Sequence, residues 1–262
     1  FMAGELGTAF SPESPLKDGL LPIIQQSEKP RASLETYVGM YLKEEIQEEG
    51  LVRNLEGFSR FLEAVSFSHA SLLNITNVAT ECEVKRKTVE NYLAILEDLL
   101  LAFRLPIFTK RAQRELSSHP KLYLFDTGVF RALRPQGPLD RPEEIDGAAL
   151  EGLVAQHLMA WNEYSLQTHD IGFWRTRSGL EVDFIVHGPQ GFWAIEVKNN
   201  KRVSSNDTKA LDAFCLDYPM AKRLLLYRGN EVIMQKDTLC MPVEQFLKEL
   251  QPDQPLLQVV SV

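Results

Sequence analysis

The sequence predicts an α/β protein: a helical N-terminal segment and a winged helix, followed by an α/β sandwich with a central mixed sheet. Three observations carry this. Apolar residues in the first quarter recur at spacings of three and four, the period of a helix face. Two helical stretches separated by a short turn then precede two strand-like segments, the order of a winged helix. From about residue 136 helical and strand patterns alternate, as they do where helices cover a sheet. The expected domains are therefore 1–66, 67–135 and 136–262.

Residues 1–32 are rich in Pro, Gly and Ser and read as loop with a short helix near Leu20–Gln25. In "SLETYVGMYLKEEIQEE", Ser33 is the expected cap, and Leu34, Tyr37, Val38, Tyr41, Leu42 and Ile46 share a face. Its acidic end, "EEIQEE", reads as a solvated helix surface. "NLEGFSRFLEAVSF" aligns Leu55, Phe58, Phe61, Leu62 and Val65. A helix is then expected around Asn77–Cys82, a turn at Glu83–Lys85, and a longer helix from about Arg86 to Ala102 with Tyr92, Leu93, Leu96, Leu99 and Leu100 inward. "LPIFTK" and "KLYLFD" would form the wing. Asp126 or Thr127 should cap the short helix of "DTGVFRAL", and "RPQGPLDRPEE", with three prolines, reads as a linker. The last region offers a helix at "GAALEGLVAQHLMAWNEY", a strand at "DIGFWRTR", a hairpin, a helix at "NDTKALDAFCLDY", strands at "KRLLLYRG" and "EVIMQ", and a helix at "VEQFLKEL".

Composition narrows the function classes. The chain has 262 residues, 44% of them apolar, enough for two or three cores. No run approaches a membrane span and "FMAGELGTAF" lacks the parts of a signal peptide, so a cytoplasmic protein without a membrane partner is expected. Cys82, Cys215 and Cys240 are odd in number and far apart, which suits reduced structural thiols. No Gly-x-x-x-x-Gly-Lys-Ser/Thr loop, paired zinc-binding histidines or Gly-x-Ser-x-Gly elbow occurs. His157 lies on an apolar helix stripe and reads as a core histidine.

The net charge of −8 rules out a uniformly basic coat but not local patches. Lys85, Arg86 and Lys87 would stand at the exposed start of the second helix of the helix-turn-helix, Lys110 and Arg111 on the wing, and Arg175 ahead of the hairpin. One reading is contact with DNA phosphates. The other is a docking module for protein, because Glu90, Glu97 and Asp98 dilute the positive helix.

The hairpin "GLEVDFIVHGPQGFWAIEVKNN" concentrates the chemistry. Counting outward from the Gly-Pro-Gln-Gly turn, Asp183 falls opposite Glu196, and Glu181 opposite Lys198. Alternation puts these four on one face and Val182, Phe184, Trp193, Ile195 and Val197 on the other, giving a core face and a charged face. Facing carboxylates repel unless a positive group lies between them. A hard cation such as Mg²⁺ or Mn²⁺ would satisfy them with water and substrate phosphate completing its shell, and Lys198 could orient or deprotonate water or stabilise charge on phosphate. Glu151, at the border of the Leu150, Leu153, Val154, Leu158, Trp161 stripe, is a candidate third carboxylate. Without a cation, the bland alternative is a solvated face with a Glu181–Lys198 ion pair.

Asp183 followed thirteen residues later by Glu196-Val197-Lys198 resembles the D…(D/E)-x-K signature of the restriction-endonuclease-like superfamily, with Val182 at the usual proline. The resemblance implies that Asp183 and Glu196 bind Mg²⁺, that Lys198 assists the water and that Glu151 joins them, in a nuclease acting on DNA. "LETYVGMYLKEEI", "TVENYLAILEDLLLAFRLP", "KLYLFDTGVFRAL" and "EVDFIV…WAIEVKNN" resemble the C-terminal half of AAA-type ATPases that end in a domain of unknown function. That likeness implies an upstream ATPase domain in the parent chain, with ATP bound only there. The competing expectation is a non-catalytic nuclease-like module that binds nucleic acid or a protein partner.

Overall fold

The computed structural model describes residues 1–41, 52, 54–110 and 119–257. The chain forms two compact units, one of Phe1, Glu13–Arg104 and Pro120–Leu153, the other of Met2–Pro12, Leu105–His119 and Val154–Val262. This partition cuts across the expected boundaries. The helical opening and the winged helix share one unit, and two early stretches join the later one, through contacts that local periodicity does not encode.

In the first unit, the helix expected from Ser33 starts at Pro30 and runs to Thr36, with a π-helical turn over Tyr37–Tyr41. Proline is favoured at that start because the N–H it lacks would be unsatisfied anyway. The acidic end of the predicted helix lies outside the described residues, as does Arg111. The Leu55–Ser66 helix is capped by Asn54, whose side chain accepts from Gly57 N at 3.0 Å, and it buries Phe58, Phe61, Leu62 and Val65. Asn74 caps Ile75–Glu81 in the same way, and the second helix of the pair is Arg86–Asp98. That helix stops earlier than predicted: Leu100 adopts φ 57° and is 81% exposed, so it marks the helix end and is not a core residue. The wing is a three-stranded sheet of β1 (Ser71–Leu72), β2 (Ala102–Leu105) and β3 (Lys121–Leu124), in the order β1-β3-β2.

Asp126, 1% exposed, ties this unit together. It caps the Thr127–Leu133 helix by accepting from Gly128 N at 2.9 Å and Val129 N at 3.1 Å, and it accepts from Leu20 N at 2.7 Å. The chain can approach so closely because Gly19, at φ 76°, has no side chain; a Cβ there would meet Asp126 Oδ1 at 1.9 Å. Gly19→Ala is therefore expected to lower unfolding stability by about 2 kcal/mol through clash and backbone strain. An unchanged midpoint in urea denaturation would contradict the packing described.

The second unit is built on six strands: β4 (Asp170–Arg175), β5 (Glu181–Gly188), β6 (Gly191–Lys198), β7 (Lys222–Tyr227), β8 (Ile233–Gln235) and β9 (Thr238–Pro242). Their order is β4-β5-β6-β7-β9-β8, with β6, β7 and β9 parallel and the other pairs antiparallel. The mixed sheet is as predicted, but β9 was not expected. It inserts between β7 and β8, and its five residues "TLCMP" are too few for a periodic signal and end on proline. The Lys209–Asp217 helix, which joins parallel strands β6 and β7, sets Leu211, Phe214 and Cys215 on Ile185, Ala194, Leu225 and Cys240. The Val243–Glu249 helix packs on β7 and β9. Burial on both sides explains the unbroken apolar run of β7. At the outer edge, Phe173 of β4 exchanges backbone hydrogen bonds with Pro106 and Phe108, so part of the predicted wing strand "LPIFTK" extends this sheet.

His157 is a core residue as expected, 1% exposed and accepting from Ala3 N at 2.9 Å. All three cysteines are free and buried. Burial, with Glu81 adding to it, pushes the Cys82 thiol up to about 11, which keeps it unreactive. Among the described residues no helix is long and apolar enough to cross a membrane.

Candidate active site

The β5–β6 hairpin turns on Pro189–Gln190, with Gly188 opposite Gly191, and its ladder follows the predicted register as far as Phe184 opposite Ile195. Gly191 sits at φ 149°, where glycine is favoured. Past Phe184 the chemistry begins. One step on, the Asp183 carboxylate reaches the partner strand and accepts from Val197 N through Oδ2 at 2.9 Å. Asp183 and Glu196 are 7% and 5% exposed. Carboxylates rarely reach such burial without a specific partner.

A bulge explains how Asp183 is aimed. Between the Gly172–Ile185 and Trp174–Val182 pairs, Phe173 alone on β4 faces both Asp183 and Phe184 on β5. An extra residue in one strand resets its alternation and re-aims the side chains. Val182, predicted to point away from the acidic face, accordingly packs with Ile185 and Ala194. The expected division into a core face and a charged face is corrected too. The face of Ala194 is itself core, covered by the Lys209–Asp217 helix, and in β6 Glu196 follows Ala194 at the same side-chain phase, at the strand's C-terminal end.

Lys198, two residues beyond Glu196, donates through Nζ to Glu196 Oε1. Burial by itself pulls this ammonium down, but the charges of Glu196 and Asp183, the hydrogen bond to Glu196 and the charge of Asp207 outweigh it, and the net shift is upward. Lys198 is therefore a fixed positive charge at neutral pH. Of the roles expected for it, charge stabilisation and orientation suit this state, whereas proton abstraction does not.

Asp207 was not singled out from the sequence. It lies in the loop after β6, where Oδ2 accepts from Ser204 N at 2.7 Å and Ser204 Oγ at 2.8 Å. Its only signal was a third acid close in sequence to the Glu-x-Lys segment.

The Glu181–Lys198 pair of the bland alternative does not form. Glu181 Oε2 instead binds Arg175 Nη1 of the neighbouring strand at 2.6 Å. Glu151 belongs to the first unit, where it accepts from Lys121 Nζ at 2.9 Å and Tyr123 Oη at 2.6 Å. Lys121, 0% exposed, is a buried cation to which this glutamate answers. Asp183, Glu196 and Lys198 are thus assembled on one hairpin in the second unit, and Glu151 is engaged within the other.

Four of the basic candidates, Arg86, Lys87, Lys110 and Arg175, are engaged with acids. Arg86 Nε and Lys87 Nζ bind Glu90 at 3.1 and 3.6 Å, and Lys110 pairs with Asp170. Lys85 is the exposed residue preceding the Arg86–Asp98 helix.

The donor set of Asp183 and Glu196 is hard carboxylate oxygen, which fits Mg²⁺ or Mn²⁺ and not a soft metal. Among the described residues no group of three or more His, Cys, Asp or Glu side chains is arranged to hold a metal ion. A cation here would take its remaining ligands from water and substrate, as Mg²⁺ commonly does.

The region that carries this hairpin is similar to a family of other proteins. Residues 146–246 match DUF4143, a domain of unknown function. DUF4143 is found at the C-terminal end of AAA-ATPase-like proteins. Residues 19–140 match a second domain of unknown function, DUF8612. An uncharacterized protein of Mycobacterium bovis and one of Mycobacterium tuberculosis are each 24% identical over 250 residues, covering 93% of this chain and 55% of theirs. The chain thus spans about half the length of the curated relatives it matches. No solved structure matches it. Asp183, Glu196 and Lys198 all lie within the DUF4143 match.

Proposed function

We propose that the DUF4143 region hydrolyses phosphodiester bonds in DNA with the help of Mg²⁺ or Mn²⁺, as the C-terminal part of a longer chain that carries an ATPase domain. The observation that supports this reading most is the pair of buried carboxylates, Asp183 and Glu196, which both act on the ammonium of the half-buried Lys198. Asp183 and Glu196 would hold the cation, which when bound supplies Lewis-acid activation of water and phosphate. Asp183 is oriented for this by Val197 N. Lys198, kept protonated, would stabilise the negative charge that develops on the phosphate. The occurrence of DUF4143 at the C-terminal end of AAA-ATPase-like proteins supports the upstream ATPase.

Supercoiled plasmid and single-stranded DNA incubated with the protein in Mg²⁺ or Mn²⁺ test the reading. Nicking is expected from the native chain, with a loss on the order of a hundredfold or more in Asp183→Asn and in Glu196→Gln, both still folded by circular dichroism. Equal nicking by native and variant chains, or none by either, rejects it.

One observation favours a non-catalytic module instead: Arg86, Lys87, Lys110 and Arg175 are paired with carboxylates, which weakens their hold on DNA. That reading expects no cleavage and, if DNA binds at all, a salt-sensitive gel shift that Asp183→Asn leaves unchanged.

A further inference from the structure

We infer that the first unit carries a pocket for a small molecule bearing a diphosphate or a similarly charged phosphate group, formed by Lys17, Arg31, Arg131 and Arg134. These four cations line one cavity of about 630 Å³, with Asp18 and Glu35 as its acidic lining residues. Among the lining residues cations outnumber acids four to two, and Arg131 and Arg134 are each also paired with an acid outside the lining, Asp146 and Asp140.

Two of the cations are fixed in place. Arg131 donates to Leu16 O and to Asp146, and Arg134 donates to Asp140 Oδ1 at 2.7 Å with its guanidinium 4.4 Å from the ring centre of Phe67. Their side chains are only 19% and 16% exposed. The other two are exposed. Arg31 pairs with Glu35 at 3.4 Å, but these side chains are 89% and 65% exposed, so the pair exchanges readily with solvent or ligand. Lys17 makes no ion pair among the described residues.

Recessed guanidiniums that hold their geometry, joined by exposed cations, suit a compact anion with several oxygens. The ligand must compete for these cations with Asp18, Glu35, Asp140 and Asp146, which favours two or more negative charges over one. Concavity separates this pocket from a nucleic-acid track, in which exposed cations follow a backbone along a face. The pocket is independent of the hairpin carboxylates, so it stands or falls apart from the nuclease reading.

Isothermal titration of the full chain with pyrophosphate, a nucleoside diphosphate, malonate and a short DNA oligonucleotide tests the assignment. The variant is Lys17→Glu/Arg31→Glu, which leaves the buried contacts of Arg131 and Arg134 intact. One-to-one binding of pyrophosphate or the nucleoside diphosphate is expected, weakened at least about tenfold in the variant with its melting temperature unchanged. Tighter binding of the nucleotide would assign the natural source to nucleotides, and equal binding to the anion alone. Failure of both phosphate ligands to saturate, undiminished binding by the variant, malonate binding as tightly as pyrophosphate, or binding of the oligonucleotide alone would each overturn it. Asp183→Asn should bind the phosphate ligands as the native chain does.

Discussion

Lys198→Met is expected to cost about 3 kcal/mol of unfolding stability, because it withdraws the ammonium that Glu196 receives inside the protein. The Lys198 side chain is 32% exposed and the Glu196 side chain 6%, so the penalty falls mainly on the glutamate. A methionine fills similar volume, which separates the charge effect from a cavity effect. The pH dependence has a definite sign. Lys198 has a raised pKa in the folded chain, so its contribution is fully present below the ordinary lysine value and disappears only as pH rises through the raised one. Between pH 7 and 9 the difference between native and variant should therefore be constant. If Asp183 and Glu196 can hold a divalent cation, Mn²⁺ should stabilise the variant more than the native chain, since Lys198 no longer competes for Glu196; a hundredfold excess over the dissociation constant would restore about 2.7 kcal/mol. Urea denaturation with and without Mn²⁺ measures both effects. A variant as stable as the native chain would show that Glu196 does not depend on this ammonium, and an absence of any Mn²⁺ effect on either chain would count against the metal reading.

The same cluster shows what a single sequence can and cannot reveal. Counting outward from a turn placed the β5–β6 register correctly as far as Phe184 opposite Ile195, because register in a hairpin is set locally by the turn and the alternating pattern. Counting could not reveal the bulge opposite Phe173, which depends on how β4 pairs with β5 and which moves Val182 onto the face of Ile185. Nor could it reveal that Lys198 binds Glu196 while Glu181 turns to Arg175, since each lysine or arginine had more than one acid within reach. Glu151 illustrates a similar ambiguity. Its place on the border of the helix stripe was legible, but the lysine and tyrosine that bind it come from β3, some thirty residues earlier. Asp126 was legible because a cap acts within its own turn, whereas its third bond, from Leu20 N, spans 106 residues. The strand β9 was hidden by its brevity, and it occupies an interior position in the sheet.

Acidification from pH 6.5 to 4 is expected to remove roughly 3 kcal/mol of stability through His69 alone. This imidazole is buried in the first unit, where Nδ1 accepts from Leu124 N at 3.0 Å and the ring stacks on Phe130 at 4.1 Å between centres. Gly152 lets a helix pass so close that a Cβ there would lie 2.3 Å from Nε2. Burial drives the pKa down to about 3, with a backbone interaction at Ala148 opposing only part of the shift. The unfolded chain takes up a proton near the ordinary value of 6.5, so it gains stability relative to the fold as pH falls below that value, by about 1.4 kcal/mol per pH unit until the folded histidine titrates too. Asp126 acts in the opposite direction: burial raises its pKa despite the backbone N–H groups of Leu20, Val129 and Gly128, and a folded chain that accepts a proton there offsets some of the loss. Comparing native and His69→Gln chains separates the two, because the variant keeps Asp126 and loses the imidazole. Urea unfolding at pH 7, 6, 5 and 4 should give a native curve that falls more steeply than the variant curve by about one proton's worth of slope. Parallel curves would mean that His69 is protonated in the folded chain, which its bond from Leu124 N and its buried contact with Phe130 do not allow.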